Sequence, residues 1–337
     1  MVEETRSRFS EHILEEALRR AEVSREDCTE LGGFESFVYR LPDQILKITH
    51  TARRSADYLM GEVEFIEHLA QRGMALPRPI AFSSGAYVES IPDDAGGFFL
   101  AYRFEEGQGQ PTTFADWDEA FIEEWGAVSG QINQLGRDFS PSRPEHMRVQ
   151  WFADPLLELD RHFPADQQDA AARGLALIRR LRDLPRDPRH YGMTHGDLHQ
   201  HNFFKGDDGR LVPFDFDDCE VAFDENDIAI PLFYAVSAVP DAQGAPTRSA
   251  FAEFFLVHFV RGFLTTCPLT RAQLNRIPDL LMLRNVILMA VIYGNDFSEP
   301  ERPRVAESLR RFHRCLDGGE PVVALNIEKL ARQLLPG

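Results

Sequence analysis

Apolar residues in the first third of the chain change their spacing several times, which predicts a mixture of helices and strands. Helical spacing within Arg8–Ala21 and again within Leu59–Gln71 predicts two amphipathic helices, the second ended by Gly73. Short β-branched and aromatic runs on either side of Leu41–Asp43, which include Phe34, predict a β-hairpin. Further strand-like segments are Pro79–Phe82, Ala86–Val88 and Gly97–Phe104. The pattern is typical of a small α+β unit.

The spacing becomes mainly helical after about Glu105. The segments with 3.6-residue periodicity are Phe114–Leu135, Leu156–His162, Asp166–Arg182, Ala250–Thr265, Arg271–Tyr293 and Pro303–Leu316. Glu105–Pro111 has the composition of a linker, and Tyr191–Ala229 is an exception to the helical pattern because it is polar and rich in turns. A length of 337 residues also favours about two domains, so we expect a first unit over 1–104 and a helical second unit over 105–337.

The net charge of the chain limits the classes of partner that it is expected to bind. The 54 acidic residues outnumber the 36 Lys and Arg residues, which gives a formal net charge of −18. This excess argues against a protein that grips a nucleic-acid backbone and against a polybasic membrane anchor. The longest apolar stretch, Ile277–Tyr293, is interrupted by Asp279 and Arg284, and the first residues show no apolar signal-peptide core. With four scattered cysteines and no CxxC spacing, we expect a cytoplasmic protein that binds neither membrane nor nucleic acid.

Candidate chemistry is concentrated in the turn-rich segment. Asn202 follows Asp197 by five residues, and Asp215 follows it by eighteen, after a strand-like run. Phosphoryl transfer from ATP requires a carboxylate that orients the acceptor hydroxyl and oxygen ligands that hold magnesium against the phosphates. A loop with Asp and Asn, followed by an Asp at a strand end, meets that requirement and has the spacing found in protein kinases.

Three motifs in this order resemble those of the aminoglycoside phosphotransferase/choline kinase family. They are His195-Gly-Asp-Leu-His199 with Asn202, Phe214-Asp-Phe-Asp-Asp-Cys219, and Asp227-Ile-Ala229. The resemblance implies a protein-kinase-like, two-lobed α+β fold, with a small antiparallel sheet and one key helix in the first lobe and mainly helices in the second. It also implies a small-molecule kinase that uses ATP, with GTP left open, and magnesium.

For the first lobe, the resemblance implies a nucleotide site. Leu31–Leu41, with Gly32 and Gly33, is similar to the hairpin that covers the phosphates, although it lacks a full GxGxxG pattern. Lys47 matches the strand lysine that contacts the phosphates.

Glu62 is the expected partner of Lys47, and Glu64 is the alternative. Residues two apart on a helix face different ways, so only one of the two can reach inward. The hinge is expected at 102–107, where the backbone of Tyr102, Arg103 and Phe104 hydrogen-bonds the base.

For the second lobe, the resemblance implies a catalytic loop. Asp197 orients the acceptor hydroxyl and accepts its proton, whereas Asn202 and Asp215 bind magnesium. His195 and Asp227 are expected to support the backbone of the loop.

The remaining candidates have open roles. Asp217 is a candidate ligand for a second metal, and Asp218 is either a turn residue or a contact for a cationic acceptor. His199 is expected to pack within the loop or to lie exposed to solvent rather than bind metal. Arg284 either contacts the acceptor or forms a structural ion pair. Asn133 stands where many relatives have a histidine, which leaves the hydrogen bond of that histidine in doubt.

Three other functions compete with a small-molecule kinase. The histidines and aspartates of 195–218 could belong to a two-metal phosphoesterase, but the first third of the chain offers few further ligands. Only twelve residues separate Asp215 from Asp227, too few for the activation segment of a protein kinase. An ATP-binding module without turnover is the third. The acceptor remains open among aminoglycosides, amino alcohols and hydroxy amino acids, and the acidic cluster favours one that carries an amine.

Overall fold

The amino-terminal part of the chain forms an antiparallel sheet. The structure, a computed structural model, describes residues 3–33, 36–240, 243, 246–295, 297 and 299–335, so Phe34 lies outside the described residues. The strands are β1 (Thr29–Glu30), β2 (Phe37–Leu41), β3 (Gln44–His50), β4 (Val88–Pro92) and β5 (Phe98–Glu105), in the order β1-β2-β3-β5-β4. β2 and β3 form the predicted hairpin, since Leu41 pairs with Gln44 across the turn.

Helices cover both faces of this sheet. α2 (Glu11–Ala21) lies on one face and α3 (Ala56–Gln71) on the other, and the short helix α1 (Glu3–Arg8) precedes α2. Leu46 and Ile48 of β3 pack in one apolar cluster with α2, so the side chain of Lys47 between them lies on the opposite face, towards α3. This alternation places Lys47 and α3 together over the cleft.

The rest of the chain is mainly helical, with short strand pairs between the helices. The helices are α4 (Glu119–Gly136), α5 (Leu159–His162), α6 (Gln168–Arg182), α7 (Asn226–Ser237), α8 (Arg248–Phe263), α9 (Arg271–Leu274), α10 (Ile277–Tyr293), α11 (Arg302–Gly318) and α12 (Ile327–Leu334). The strands are β6 (Tyr191–Thr194), β7 (Phe203–Lys205), β8 (Leu211–Pro213) and β9 (Glu220–Phe223); β6 pairs with β9, and β7 with β8. The α+β architecture expected from the sequence is confirmed.

Several predicted bounds were wrong. Pro79–Phe82 is not a strand: Pro79 forms an isolated bridge with Phe104 of β5, and it lacks the N–H group that would extend the bridge into a ladder. The helix expected over Arg271–Tyr293 is interrupted between α9 and α10, and α7 begins inside the segment expected to be turns. Within the described part of the chain, no helix is both long enough and apolar enough to cross a membrane.

α4 and α8 approach each other closely because glycines lie where they cross. A Cβ atom on Gly126 would lie 1.9 Å from the carbonyl oxygen of Phe259, and one on Gly262 would lie 1.8 Å from that of Glu123. Both are contacts with backbone, which cannot move aside without shifting a helix. The crossing therefore requires glycine and fixes the spacing of the two helices beneath the catalytic segment.

We expect Gly126→Ala to destabilise the protein by about 2 kcal/mol or more, because overpacking at a backbone contact outweighs the gain in helix propensity. Gly318→Ala is the matched control, since its added Cβ would meet open space at the end of α11. Chemical unfolding of both variants measures the difference. Equal stability of the two would contradict the requirement for glycine at the crossing.

Candidate active site

Two adjoining cavities form a cleft between the sheet and the helical part. The larger has a volume of about 370 Å³ and the smaller about 190 Å³. Val38, Lys47 and Asp215 line both cavities, whereas Asp197 and Asn202 line only the larger. The structure thus brings the residues expected to bind phosphate, metal and acceptor to one cleft.

Lys47 is buried between two carboxylates. Its Nζ lies 2.5 Å from Oδ1 of Asp215 and 3.9 Å from Oε1 of Glu62. Burial alone lowers the pKa of Lys47, but the charges of Asp215 and Glu62 outweigh burial and raise that pKa well above its usual value. Burial raises the pKa of Glu62 to about 7, with Lys47 opposing the rise. Glu64 instead binds Ser142 and His146, so Glu62 is the glutamate of α3 that reaches Lys47.

Asp215 has a strained backbone. It follows β8 with φ 63° and ψ 63°, in the left-handed region that non-glycine residues rarely adopt. Such strain costs about 1–3 kcal/mol and persists where the surroundings determine the conformation. On one side, the N–H of Phe214 donates to the carbonyl of Asn202 at 2.9 Å. On the other side, the short 3₁₀ turn Phe216–Asp218 begins.

Arg148, which no sequence pattern indicated, holds the 3₁₀ turn that follows Asp215. It is fully buried, and its guanidinium donates to the carbonyl of Cys219 at 2.7 Å, to that of Tyr58 at 3.0 Å and to that of Asp217. Arg148 therefore joins α3 to the turn that follows Asp215. It lies in an irregular segment with no motif or periodicity, so no sequence pattern pointed to it.

The loop 195–202, which the sequence analysis expects to be catalytic, is held by Asp227 and His195. Asp227, in the first turn of α7, accepts the backbone N–H groups of His195 and Gly196 at 2.9 and 3.0 Å. Nε2 of His195 lies 3.2 Å from the carbonyl oxygen of Phe214, which links the loop to the strand before Asp215. Burial lowers the pKa of His195 to about 4, so the ring is neutral. Gly196 is required because φ is +77° and a Cβ would lie 2.2 Å from the carbonyl oxygen of Asp218.

Asp197 is surrounded by hydrogen-bond donors. Oδ1 accepts from Nη2 of Arg284 at 2.6 Å, and Oδ2 lies 3.4 Å from Nε2 of His199. Nδ2 of Asn202 donates to the Asp197 carbonyl at 2.8 Å. Burial raises the pKa of Asp197 to about 8; Arg284 opposes this rise, whereas nearby carboxylates, first that of Asp218, add to it. The site therefore holds a carboxylate with the proton affinity of a general base.

Arginines of the loop before α3 reach the two aspartates after Asp215. Nη2 of Arg53 lies 3.1 Å from Oδ2 of Asp217, and Nη2 of Arg54 lies 3.7 Å from Oδ1 of Asp218. Burial raises the pKa of Asp217, but Arg53 and then Lys47 bring it below the usual range. Asp217 is thus mainly an ion-pair residue in this structure. Both Asp217 and the half-exposed Asp218 line the larger cavity.

The structure does not bring all of the expected hinge residues into the cleft. Tyr102 pairs with strands on both sides, and Arg103 donates to the carbonyls of Ala21 and Ala81 on the far face of the sheet. Side chains alternate along a strand, so Arg103 and Phe104 point to opposite faces of the sheet. Of these two residues, Phe104 lines the smaller cavity. Glu105, Glu106 and Gly107 also line that cavity, and the hinge expected at 102–107 stays a prediction.

Asn133 replaces the expected histidine with a different donor. Its Nδ2 donates to the carbonyl of Asp224 at 3.0 Å, just before α7. The side chain thus supports the segment that carries Asp227 without an imidazole.

A two-lobed fold with this lysine–glutamate pair, catalytic loop and strand-end aspartate defines the class of kinase-like phosphotransferases. Residues 27–263 match the model of the phosphotransferase enzyme family, and the chain belongs to that family. The expected resemblance and the protein-kinase-like fold are confirmed. The chain is a small-molecule kinase that transfers phosphate to a hydroxyl group.

The relatives extend over nearly the whole chain. The chain is 35% identical over 332 residues to the amicoumacin kinase of Bacillus subtilis (strain 168), covering 95% of this chain and 96% of that protein. It is similar to the structure of amicoumacin kinase hAmiN in complex with AMP-PNP, Ca2+ and Ami, with a TM-score of 0.89, 32% identity and coverage of 98% and 100%. A microcompartment-associated aminopropanol kinase shares the fold, with a TM-score of 0.72, 17% identity and coverage of 92% and 98%. These relatives give no support to the two alternative functions, a two-metal phosphoesterase and an ATP-binding module without turnover.

We expect Glu62→Gln to weaken AMP-PNP binding about tenfold, because Lys47 loses a charged partner and such hydrogen bonds contribute about 1.5–3 kcal/mol. Glu64→Gln, two residues away on the same helix, is the matched control and should bind as the wild type does. Calorimetry with magnesium present measures both. Equal affinity of the two variants would show that Glu62 does not position Lys47.

Proposed function

We propose that this chain transfers the γ-phosphate of ATP, with magnesium, to a hydroxyl group of amicoumacin or of an acceptor similar to it. The observation that carries the proposal is the convergence of Lys47, Asp197, Asn202 and Asp215 on one cavity. The similarity to amicoumacin kinase over 95% of the chain supports the choice of acceptor.

The smaller cavity fits the base of the nucleotide. Its apolar lining residues are Leu31, Val38, Ile45, Ile66, Pro77, Phe104, Phe204, Phe214 and Phe216. A flat purine is stabilised between apolar and aromatic side chains, and its phosphates then extend towards Lys47 and Asp215 in the adjoining cavity. The lining suits adenine and guanine alike, and the AMP-PNP in the solved relative favours ATP.

Asn202 and Asp215 are suited to magnesium. Nδ2 of Asn202 donates to the Asp197 carbonyl, which leaves the amide oxygen as a ligand. Among the described residues, no group of three or more His, Cys, Asp or Glu could hold a metal by itself. Two protein oxygens completed by phosphate and water suit magnesium, which neutralises phosphate charge when it is bound. Asp217 faces Arg53, so its role as a ligand for a second metal stays a prediction.

The larger cavity has an apolar side and an acidic side. Side chains of α7 and α10 supply the apolar wall, which comprises Ile230, Tyr234, Leu283, Ile287, Leu288 and Val291. Asp154, Asp218 and Glu220 line the same cavity. Burial, with Asp154 and Asp218 nearby, raises the pKa of Glu220 well above its usual value, and Arg284 opposes the rise. An acceptor with an apolar body and an amine would satisfy both sides.

The transfer itself uses Asp197. Phosphoryl transfer needs little covalent help, so the main task of the protein is to position the hydroxyl and stabilise charge. The carboxylate of Asp197 accepts the hydroxyl proton and directs the oxygen towards the γ-phosphate. Lys47 holds the phosphates on the other side of the reacting group.

We expect Asp197→Asn to lower kcat by about 10²–10⁴, the usual contribution of a positioned acid–base group, while AMP-PNP still binds. Asp215→Asn should instead abolish the dependence of nucleotide binding on magnesium. Mass spectrometry of phosphorylated amicoumacin measures turnover, and calorimetry measures binding. Full activity of Asp197→Asn would contradict the catalytic role of Asp197. A wild-type protein that does not phosphorylate amicoumacin would contradict the choice of acceptor.

Replacing Glu220 tests the acidic side of the acceptor site. Glu220→Gln should raise KM for an amine-bearing acceptor about tenfold and leave KM for ATP unchanged, since a hydrogen bond to a charged group contributes about 1.5–3 kcal/mol. Glu145→Gln, at an exposed position, is the control. Steady-state kinetics with each substrate varied in turn gives both constants. An unchanged KM for the acceptor would place the amine elsewhere.

A further inference from the structure

Tyr234, which no sequence motif indicates, contacts two residues that approach the carboxylate of Asp197. Its hydroxyl accepts from Nη2 of Arg284 at 2.6 Å, and its ring packs edge-on against His199 with a centroid separation of 4.6 Å. Arg284 and His199 approach different oxygens of Asp197. We infer that Tyr234 is a positioning residue that fixes the orientation of the Asp197 carboxylate through Arg284 and His199.

The contact through Arg284 is direct and shielded from water. Nη2 of Arg284 bonds both Asp197 and Tyr234 at 2.6 Å, and the exposed fractions of the Arg284 and Asp197 side chains are only 12% and 15%. Nε of Arg284 is buried and has no hydrogen-bond partner among the described residues. The guanidinium thus has few alternative partners, and its position depends on the hydroxyl of Tyr234 and on Asp197 itself.

The second contact of Tyr234 restrains the imidazole ring of His199. The backbone N–H of His201 donates to Nδ1 of His199 at 3.1 Å, which leaves Nε2 to carry the proton in the neutral ring. That Nε2 lies 3.4 Å from Oδ2 of Asp197. The ring of Tyr234 packs on His199 and limits its rotation, so the phenol ring and the phenol hydroxyl act on different oxygens of Asp197.

The location of Tyr234 makes it a rigid support. Tyr234 lies on α7 seven residues after Asp227, about two helical turns, so both residues lie on one face of the helix. Asp227 holds the backbone of the catalytic loop, while Tyr234 acts on the side chain of Asp197. One helix thereby orients both the main chain and the side chain of the loop.

The test compares variants that remove the hydroxyl or the whole ring. Tyr234→Phe should lower kcat about tenfold, and Tyr234→Leu should lower it about a hundredfold, since small misplacements of a catalytic group can cost about 10². KM for ATP should stay unchanged in both. Arg284→Lys should retain more activity than Arg284→Ala. The matched control is Tyr293→Phe, which removes another 2.6 Å hydroxyl contact, to His313, outside the cleft.

The outcomes separate this role from general packing and from the proposed function on which the kinetic assay rests. A wild-type kcat in Tyr234→Phe, or an equal loss in Tyr293→Phe, would overturn the positioning role. If the wild type turns over no acceptor, the proposed function fails, and crystal structures of the wild type and Tyr234→Phe decide the present inference. A changed side-chain torsion of Asp197 in the variant supports it, and an unchanged torsion overturns it.

Discussion

The architecture of the cleft depends on providing a partner for each of several carboxyl groups that lie close together around it. Burying an unpaired carboxylate is costly, so each requires a cation or N–H donors close by. Lys47 pairs with Asp215, Arg284 with Asp197, and Arg53 with Asp217, while backbone N–H groups satisfy Asp227. Because these partners come from β3, from the loop before α3 and from α10, the ion pairs also determine how those elements meet.

This constraint explains why the site combines strain with rigid support. Asp215 holds a left-handed backbone conformation, and the turn that follows it is fixed by the buried Arg148. The crossing of α4 and α8 supplies a close-packed base at Gly126 and Gly262. Strain at one residue can be maintained because the surrounding contacts leave the segment few alternatives.

Motifs made the centre of the site predictable, whereas contacts distant in sequence were not. Asp197, Asn202 and Asp215 lie within one short segment, so their spacing alone indicated the chemistry. Arg148 and Tyr234 gave no such signal, because their partners lie on other elements and neither belongs to a motif. α7 was missed for a different reason: it is apolar on nearly all sides and contains Pro231, so it lacks the one-sided periodicity of an amphipathic helix.

The larger cavity has an apolar wall and a charged side, and these two parts can change independently in evolution. Leu283, Ile287 and Leu288 of α10 shape the cavity without taking part in the ion pairs of the cleft. Exchanges among aliphatic residues of similar volume usually cost less than about 1.5 kcal/mol. The contour of the proposed acceptor site can therefore drift while the groups proposed to transfer phosphate stay fixed, so descendants of one ancestral kinase can diverge in the compounds they modify.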